Sequence, residues 1–195
     1  MICFKNIYGE IAMILNKEVC YFEGKSGDFE TASQTLPSEF RILGRATDDK
    51  KRMPNMQFVI VPRTEDNLTL LEDMLIFDRN PVYGTTTHTI RQNEMFLALT
   101  LNMKEMPTYA NFVDIYFNCS LTENNLFNNC EIQFLDNLEE MFTYKCEKNM
   151  KASLIQLGTL AKVSDGWKFY PTFEQQLSKD SVFDFIIKSY KEILL

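Results

Sequence analysis

The alternation of apolar and polar residues from Phe58 onward is the feature that most constrains the fold of this 195-residue chain. In an extended strand successive side chains point to opposite faces of a sheet, so a period of two predicts strands. The pattern is clearest over 112–119. Its expected inner residues are Val113, Ile115, Phe117 and Cys119, and its expected outer residues are Asp114, Tyr116 and Asn118.

Four further segments carry the same pattern, over 96–101, 130–134, 142–146 and 152–163. The turn Ser164-Asp165-Gly166 joins the last of them to 167–170, which predicts a long hairpin. The expected inner positions are Cys130, Ile132, Phe134, Phe142, Tyr144 and Cys146. In 96–101 the leucines at 97, 99 and 101 share one face, opposite Phe96, Ala98 and Thr100, and the run can bury one or both sides. In 152–163 the alternating apolar positions are Ile155, Leu157, Thr159, Ala161 and Val163. Turns spaced by about ten residues are typical of a β-sandwich.

The first fifty residues are less regular. Apolar runs over 10–15 and 18–22 predict a hairpin, and a polar stretch over 23–38 predicts a long loop. Apolar residues return at Phe40, Ile42 and Leu43 before the charged segment 48–52, for which we expect a loop. Whether residues 1–50 extend the sandwich or pack beside it stays open at this point.

The C-terminal segment changes to a helical period. Ser181 and Asp184 form a potential capping box, and an apolar stripe follows them. The stripe consists of Phe183, Ile186, Ile187, Tyr190, Ile193 and Leu194. We therefore predict a mainly β, two-sheet β-sandwich with a C-terminal amphipathic helix over 178–195, built as a single domain over 1–195, with the helix packed on that domain.

Composition excludes several classes of protein. The five cysteines are an odd number without a CxxC pair, which argues against a disulfide framework and against a zinc site. A net charge of −7 opposes binding to nucleic acid. No apolar run approaches the roughly 20 residues of a membrane span. Because Met1 to Glu10 do not form a signal peptide, we expect a cytoplasmic protein.

The residues that carry chemistry are sparse. His88 is the single histidine, so no pair of imidazoles can form, and no glycine-rich phosphate loop is present. Adjacent carboxylates such as Glu65-Asp66, Glu72-Asp73 and Glu139-Glu140 occur in loop-like contexts and would not converge on one substrate. We expect a protein that is not an enzyme, with no catalytic residues and no cofactor.

The order of motifs over about 74–173 resembles the tellurium-resistance TerD-like family. The strand 96–101 followed by Lys104-Glu105-Met106-Pro107 is similar to that family's strand and "Lys-x-x-Pro" turn. Asn125-Leu126-Phe127 is similar to its "Gln-x-Phe" stretch, and 165–169 is similar to its "Gly-x-Trp-Lys-Phe" signature. Tyr83-Gly84 to His88 is similar to "Gly-Ser-Val-x-His".

This resemblance implies a β-sandwich in a bacterial stress protein that binds calcium through aspartates. The chain departs from the family at those aspartates. Pro54 to Phe58 stand where "Asp-x-Asp-Leu-Asp" is expected, Thr89 to Gln92 replace "Ser-Gly-Asp-Asn", and Asn93-Glu94 replace "Asp-Asp-Glu". Calcium takes about six to eight oxygen ligands. We therefore predict that the family's metal site is absent.

Two functions remain open. The first is a non-enzymatic binding or assembly module that acts by protein–protein docking, with another protein or with itself. The second is a calcium-binding or small-ligand-binding protein of stress response and tellurium resistance, with a rebuilt site. The residues available for such a site are Asp66, Asp73, His88 and Glu94.

Overall fold

The computed structural model describes residues 2–5, 11–14, 39–47, 55–75, 85–91, 95–120, 129–136, 139–146, 154–176, 182–190 and 192–194. The strands are β1 (Ile2–Lys5), β2 (Ile11–Ile14), β3 (Glu39–Thr47), β4 (Asn55–Arg63), β5 (Leu68–Leu70), β6 (Thr85–Arg91), β7 (Met95–Asn102), β8 (Phe112–Ser120), β9 (Asn129–Asp136), β10 (Glu139–Cys146), β11 (Leu154–Val163), β12 (Gly166–Gln176) and β13 (Glu192–Leu194). A 3-10 turn covers Leu71–Asp73, and the helix α1 covers Val182–Ser189.

Two antiparallel sheets build the fold. The five-stranded sheet has the order β10-β9-β3-β7-β6, and the four-stranded sheet has the order β12-β11-β8-β4. Two small pairs accompany them, β1 with β2 and, in parallel, β13 with β5. The prediction of a mainly β sandwich with a C-terminal helix is confirmed.

The core fills the space between the two sheets with the side chains that the alternation predicts. The buried inner residues include Leu99, Leu101, Val113, Ile115, Phe117, Cys130, Ile132, Phe134, Tyr144, Ile155 and Leu157. Phe134 and Phe169 join the two sheets, with ring centroids 5.1 Å apart. Cys130 is a buried cysteine, whereas the side chains of Cys119, Phe142 and Cys146 lie outside the described residues.

The sheets approach each other closely at Gly44 of β3. A Cβ built at Gly44 would lie 2.5 Å from a ring carbon of Phe117 on the facing sheet. Carbon atoms pack at about 3.5–4.0 Å, so any side chain at this position would force the sheets apart. The absence of a side chain at Gly44 therefore gives the Phe117 ring its place in the core.

The outer face of β8 differs from the prediction. Asp114 and Tyr116 were expected to face solvent, but their exposed fractions are 4% and 3%, and Asn118 is half-buried. The reason is a second apolar layer on the outer side of the four-stranded sheet. This layer consists of Val59, Val61, Met74, Tyr116, Leu154, Ile186 and Tyr190.

The helix itself supplies that cover, but it is shorter than predicted. The structure replaces a helix over 178–195 by α1 and the strand β13, so Ile193 and Leu194 pair with β5 instead of extending the stripe. Ile187 is 44% exposed, because the segment packs on the sheet through Ile186 of α1 and Tyr190 directly after it. Ser181 lies outside the described residues. The prediction that the helix packs on its own domain is confirmed.

The inner face of β11 also differs from the prediction. The register of β11 against both of its neighbours shifts between Gln156 and Gly158, which is a β-bulge. One extra residue sends the following side chains to the opposite faces. Leu160 therefore lies in the core, whereas Thr159 points to the outer side, contrary to the strict alternation.

At the N-terminus one strand of the predicted hairpin pairs with a different segment. The run 11–14 forms β2, but it pairs with β1, from Ile2 against Ile14 to Lys5 against Ile11. The pattern over 10–22 does not predict the strand β1 at the start of the chain. The run 18–22 and the loops 23–38 and 48–52 lie outside the described residues. Residues 39–47 belong to the sandwich, since β3 lies between β9 and β7.

Candidate functional site

A buried ion pair lies between the four-stranded sheet and α1. Nε of Arg63, at the end of β4, donates a hydrogen bond of 2.6 Å to Oδ2 of Asp114 in the middle of β8. Oγ1 of Thr159 donates to Oδ1 of the same carboxylate over 2.5 Å, an approach that the bulge in β11 makes possible. The Arg63 guanidinium also stacks 4.5 Å above the ring of Phe112.

Two tyrosine hydroxyls join this pair, one from Tyr116 in β8 and one from Tyr190 directly after α1. Oη of Tyr190 donates to Oδ2 of Asp114 at 2.8 Å and lies 2.9 Å from Oη of Tyr116. Because Tyr190 gives its proton to the carboxylate, Tyr116 is the donor in the second bond. Burial raises the pKa of Tyr190 well above its ordinary value, and Tyr116 and Asp114 raise it further.

This network links Tyr190, directly after α1, to the four-stranded sheet. The Asp114 carboxylate accepts from a guanidinium and two hydroxyls, which satisfies both of its oxygens and its charge. Sequence reasoning missed its members, apart from placing Tyr190 on an apolar stripe. The available signal was the unbroken run Phe58 to Val61, since a strand that is apolar on both faces must be covered on both.

We expect Tyr190→Phe to lower the free energy of unfolding by about 1–3 kcal/mol, since it leaves Asp114 and Tyr116 each short of one buried hydrogen bond. Urea titrations followed by circular dichroism measure the change. The matched control is Tyr170→Phe, because the hydroxyl of half-buried Tyr170 makes no hydrogen bond in the described part of the chain. Equal losses in both variants would contradict the network.

The raised pKa of Tyr190 gives the same comparison a pH dependence. A group that holds its proton more tightly when folded contributes its full stability below the unfolded pKa of about 10 and loses it as the pH rises further. The stability difference between the wild type and Tyr190→Phe should therefore narrow above pH ~10.

A second polar cluster lies near β5, and we call it the Asp73 cluster. It consists of Thr69, Asp73 and Tyr109, with exposed fractions of 1% for Thr69 and 4% for Asp73. Burial raises the pKa of Tyr109, and nearby Asp73 raises it further, whereas Leu70 and Thr69 lower it. Yet the hydroxyl oxygens of Thr69 and Tyr109 are buried without a hydrogen bond of good geometry.

The four residues proposed for a rebuilt site are not seen to converge. Asp66 is exposed in the turn between β4 and β5, and Asp73 is buried at the end of the 3-10 turn. His88 lies in the middle of β6, with its side chain outside the described residues, and Glu94 is likewise outside them. No three Cys, His, Asp or Glu side chains within the described ranges could hold one metal ion together.

The calcium site that the fold family implies does not fit these residues. Calcium needs about six to eight oxygen ligands, several of them carboxylates. The Asp73 cluster offers one carboxylate and two hydroxyls, and exposed Asp66 does not join them. The Asp73 cluster therefore lacks the donors that this ion needs.

Comparison with known proteins identifies the class of fold, a two-sheet β-sandwich that occurs in solved structures. A protein of unknown function, SAV2460, has a TM-score of 0.55 and 13% identity, over 75% of this chain and 94% of that one. The second match is SCO6318 from Streptomyces coelicolor A3(2), a homologue of the telluride resistance protein TerD. Its TM-score is 0.54 and its identity 12%, with the same coverage.

The chain thus has the TerD-like fold, as the order of its motifs predicts. No family model and no curated sequence matches it. An identity of 12–13% establishes the shared fold and leaves the function to be argued from this chain's own residues.

The described helix offers no membrane span, because α1 has only eight residues.

Proposed function

We propose that this chain is a non-enzymatic assembly module that docks by strand addition at β6, with a second copy of itself as the partner. The observation that carries the proposal is the regular edge of β6. It ends the five-stranded sheet and pairs with β7 over seven consecutive residues, from Thr85 to Arg91, without a register shift. Its sequence contains no proline. Such an edge presents a row of backbone groups to another strand.

The other sheet edges carry features that oppose strand addition. β10 has a register shift between Glu140 and Phe142. β12 carries Pro171 opposite the bulge at Gly158. β4 is bridged by Leu75, which exchanges backbone hydrogen bonds with Ile60. Bulges, prolines and covering segments are the usual protection of an edge, so β6 is the one regular edge among the described strands of the two sheets.

A second copy is a suitable occupant because β6 is compatible with itself. Its single charged residue is Arg91 at one end. In an antiparallel pair centred on His88, Arg91 would face Thr85 of the other copy rather than a like charge. A twofold interface of this kind closes on itself and joins two five-stranded sheets into one.

Light scattering coupled to size-exclusion chromatography tests the proposal, and we expect a mass of two chains that falls to one on dilution. Thr86→Pro and Thr87→Pro provide matched variants, because neighbouring N–H groups of a strand point to opposite sides and only one of the two can bond β7. The variant that keeps the wild-type melting temperature should be monomeric. A wild type that is monomeric at every concentration, or a dimer that persists in both variants, would contradict the proposal.

The TerD-like fold supports a role in cytoplasmic stress response for such a module. A non-enzymatic role is supported by the charges buried next to α1. Arg63 and Asp114 form an ion pair with each other, so neither charge is available to a substrate. The alternative function, calcium or small-ligand binding in tellurium resistance, has less support. Its candidates Asp66 and Asp73 differ in burial and do not share a ligand shell.

A further inference from the structure

The C-terminal end of the chain packs on the sandwich without entering its core. We call α1, Tyr190 and β13 the C-terminal strap. The described residues of the inter-sheet core all come from 42–169. The buried residues of the strap, Ile186 and Tyr190, belong instead to the second apolar layer on the outer side of the four-stranded sheet. The inter-sheet core therefore stays packed if the strap leaves.

The apolar contacts of the strap hold its two elements in place together. The rings of Phe185 in α1 and Tyr116 in β8 meet nearly edge-on, with their centroids 6.1 Å apart. β13 pairs with β5 over only three residues. Isolated helices shorter than about 12–15 residues are marginal in water, and α1 has eight residues. The strap is therefore ordered only while it lies on the sheet.

The hydrogen bonds around Asp114 allow the strap to leave without stranding a charge. Nε of Arg63 donates to Oδ2 of Asp114 at 2.6 Å, and Oγ1 of Thr159 donates to Oδ1. Both donors belong to strands of the sheet, so both stay when the strap leaves. Opening removes only the neutral hydroxyl of Tyr190 from the carboxylate. Breaking the ion pair itself would cost far more.

We propose that the C-terminal strap opens and closes as one unit while the two sheets stay folded. It thereby controls the exposure of an apolar face formed by Val59, Val61, Tyr116 and Leu154. Opening separates only the second apolar layer, so it requires less free energy than global unfolding. The strap lies on the four-stranded sheet, whereas β6 ends the five-stranded sheet, so strap opening and docking at β6 can fail separately.

Native-state hydrogen exchange of the full chain, followed by NMR, tests the proposal with two matched variants. Ile186→Val lies in α1 and Ile132→Val lies in β9, and both isoleucines are 0% exposed. Each variant loses one buried methylene, which should accelerate exchange about fivefold through any state that breaks its contacts. Ile132→Val should accelerate the amides of β8 but leave those of α1 unchanged, because the contacts of Ile132 persist when only the strap opens.

Ile186→Val should accelerate both sets of amides, because strap opening and global unfolding both break the contacts of Ile186. In the wild type, the amides of α1 and β13 should share one free energy of opening that is lower than that of β8. Equal acceleration of the α1 and β8 amides in Ile132→Val would overturn the proposal, since the strap would then open only on global unfolding. Exchange rates that rise gradually from α1 to β13 would also overturn it, since they indicate fraying from the C-terminus.

Discussion

Arg63→Met is expected to lower the free energy of unfolding by about 3–5 kcal/mol, since it leaves the Asp114 carboxylate buried without its cation. Methionine keeps much of the aliphatic bulk of arginine, so the loss reports on the charge more than on a cavity. Thr159 and Tyr190 still donate to Asp114 in this variant, but two neutral hydroxyls do not replace a guanidinium. The exposed fractions of the Arg63 and Asp114 side chains are 18% and 6%, so water offers little compensation.

Chemical denaturation of three variants separates the charge from the packing. In the double variant Arg63→Met with Asp114→Asn, a neutral amide replaces the stranded carboxylate, and part of the lost stability should return. The control Arg45→Met breaks the ion pair with Glu131, which lies nearer to solvent, and should cost about 1 kcal/mol. A double variant no more stable than Arg63→Met alone would show that Arg63 acts through packing rather than charge.

The alternation in the sequence was sufficient to predict the inner face of the sandwich. The buried residues Val113, Ile115 and Phe117 occupy every second position of β8, and β8 pairs with β4 without a register shift. The same rule failed on the opposite face of β8. It treats Asp114 and Tyr116 as polar, whereas burial depends on whether another element covers them.

The polar partners could not be deduced because they are distant in the chain. Arg63 and Asp114 are 51 positions apart, and Tyr190 is 76 positions from Asp114. A single sequence contains no information on such pairings beyond the apolar run of β4. Three-residue strands such as β13 are likewise too short for a period to be recognised, so the stripe of α1 was extended through Ile193.

The Asp73 cluster was only partly within reach of the sequence. Asp73 could be selected as a carboxylate, but nothing distinguished it from the exposed Asp66. Thr69 and Tyr109 join Asp73 through the turn after β5 and the loop before β8, and loop contacts of this kind carry no periodic signal. Burial is what separates the two aspartates, and burial is a property of the assembled sandwich.

Gly158→Ala is expected to destabilise the fold by about 2–5 kcal/mol, because two penalties coincide at this residue. Gly158 has a φ of +157°, a backbone conformation that side chains disfavour. The added Cβ would lie 2.4 Å from the carbonyl oxygen of Tyr170 and 2.7 Å from two ring carbons of Phe169. The obstructing atom at Tyr170 is backbone, so β12 itself would have to move.

Gly158→Ala should also affect residues outside the β11–β12 hairpin, because the bulge at Gly158 turns Thr159 toward Asp114. If β11 relieves the clash by losing its bulge, Thr159 no longer donates to the carboxylate, and Gly158→Ala should lower the additional cost of Arg63→Met. A double-mutant cycle in urea measures that coupling, with Ser164→Ala in the exposed turn as a control expected within about 0.5 kcal/mol of wild type. Strictly additive losses of stability would instead mean that β12 shifts while the bulge stays. A loss below about 1 kcal/mol for Gly158→Ala would contradict the close approach between Gly158 and Tyr170.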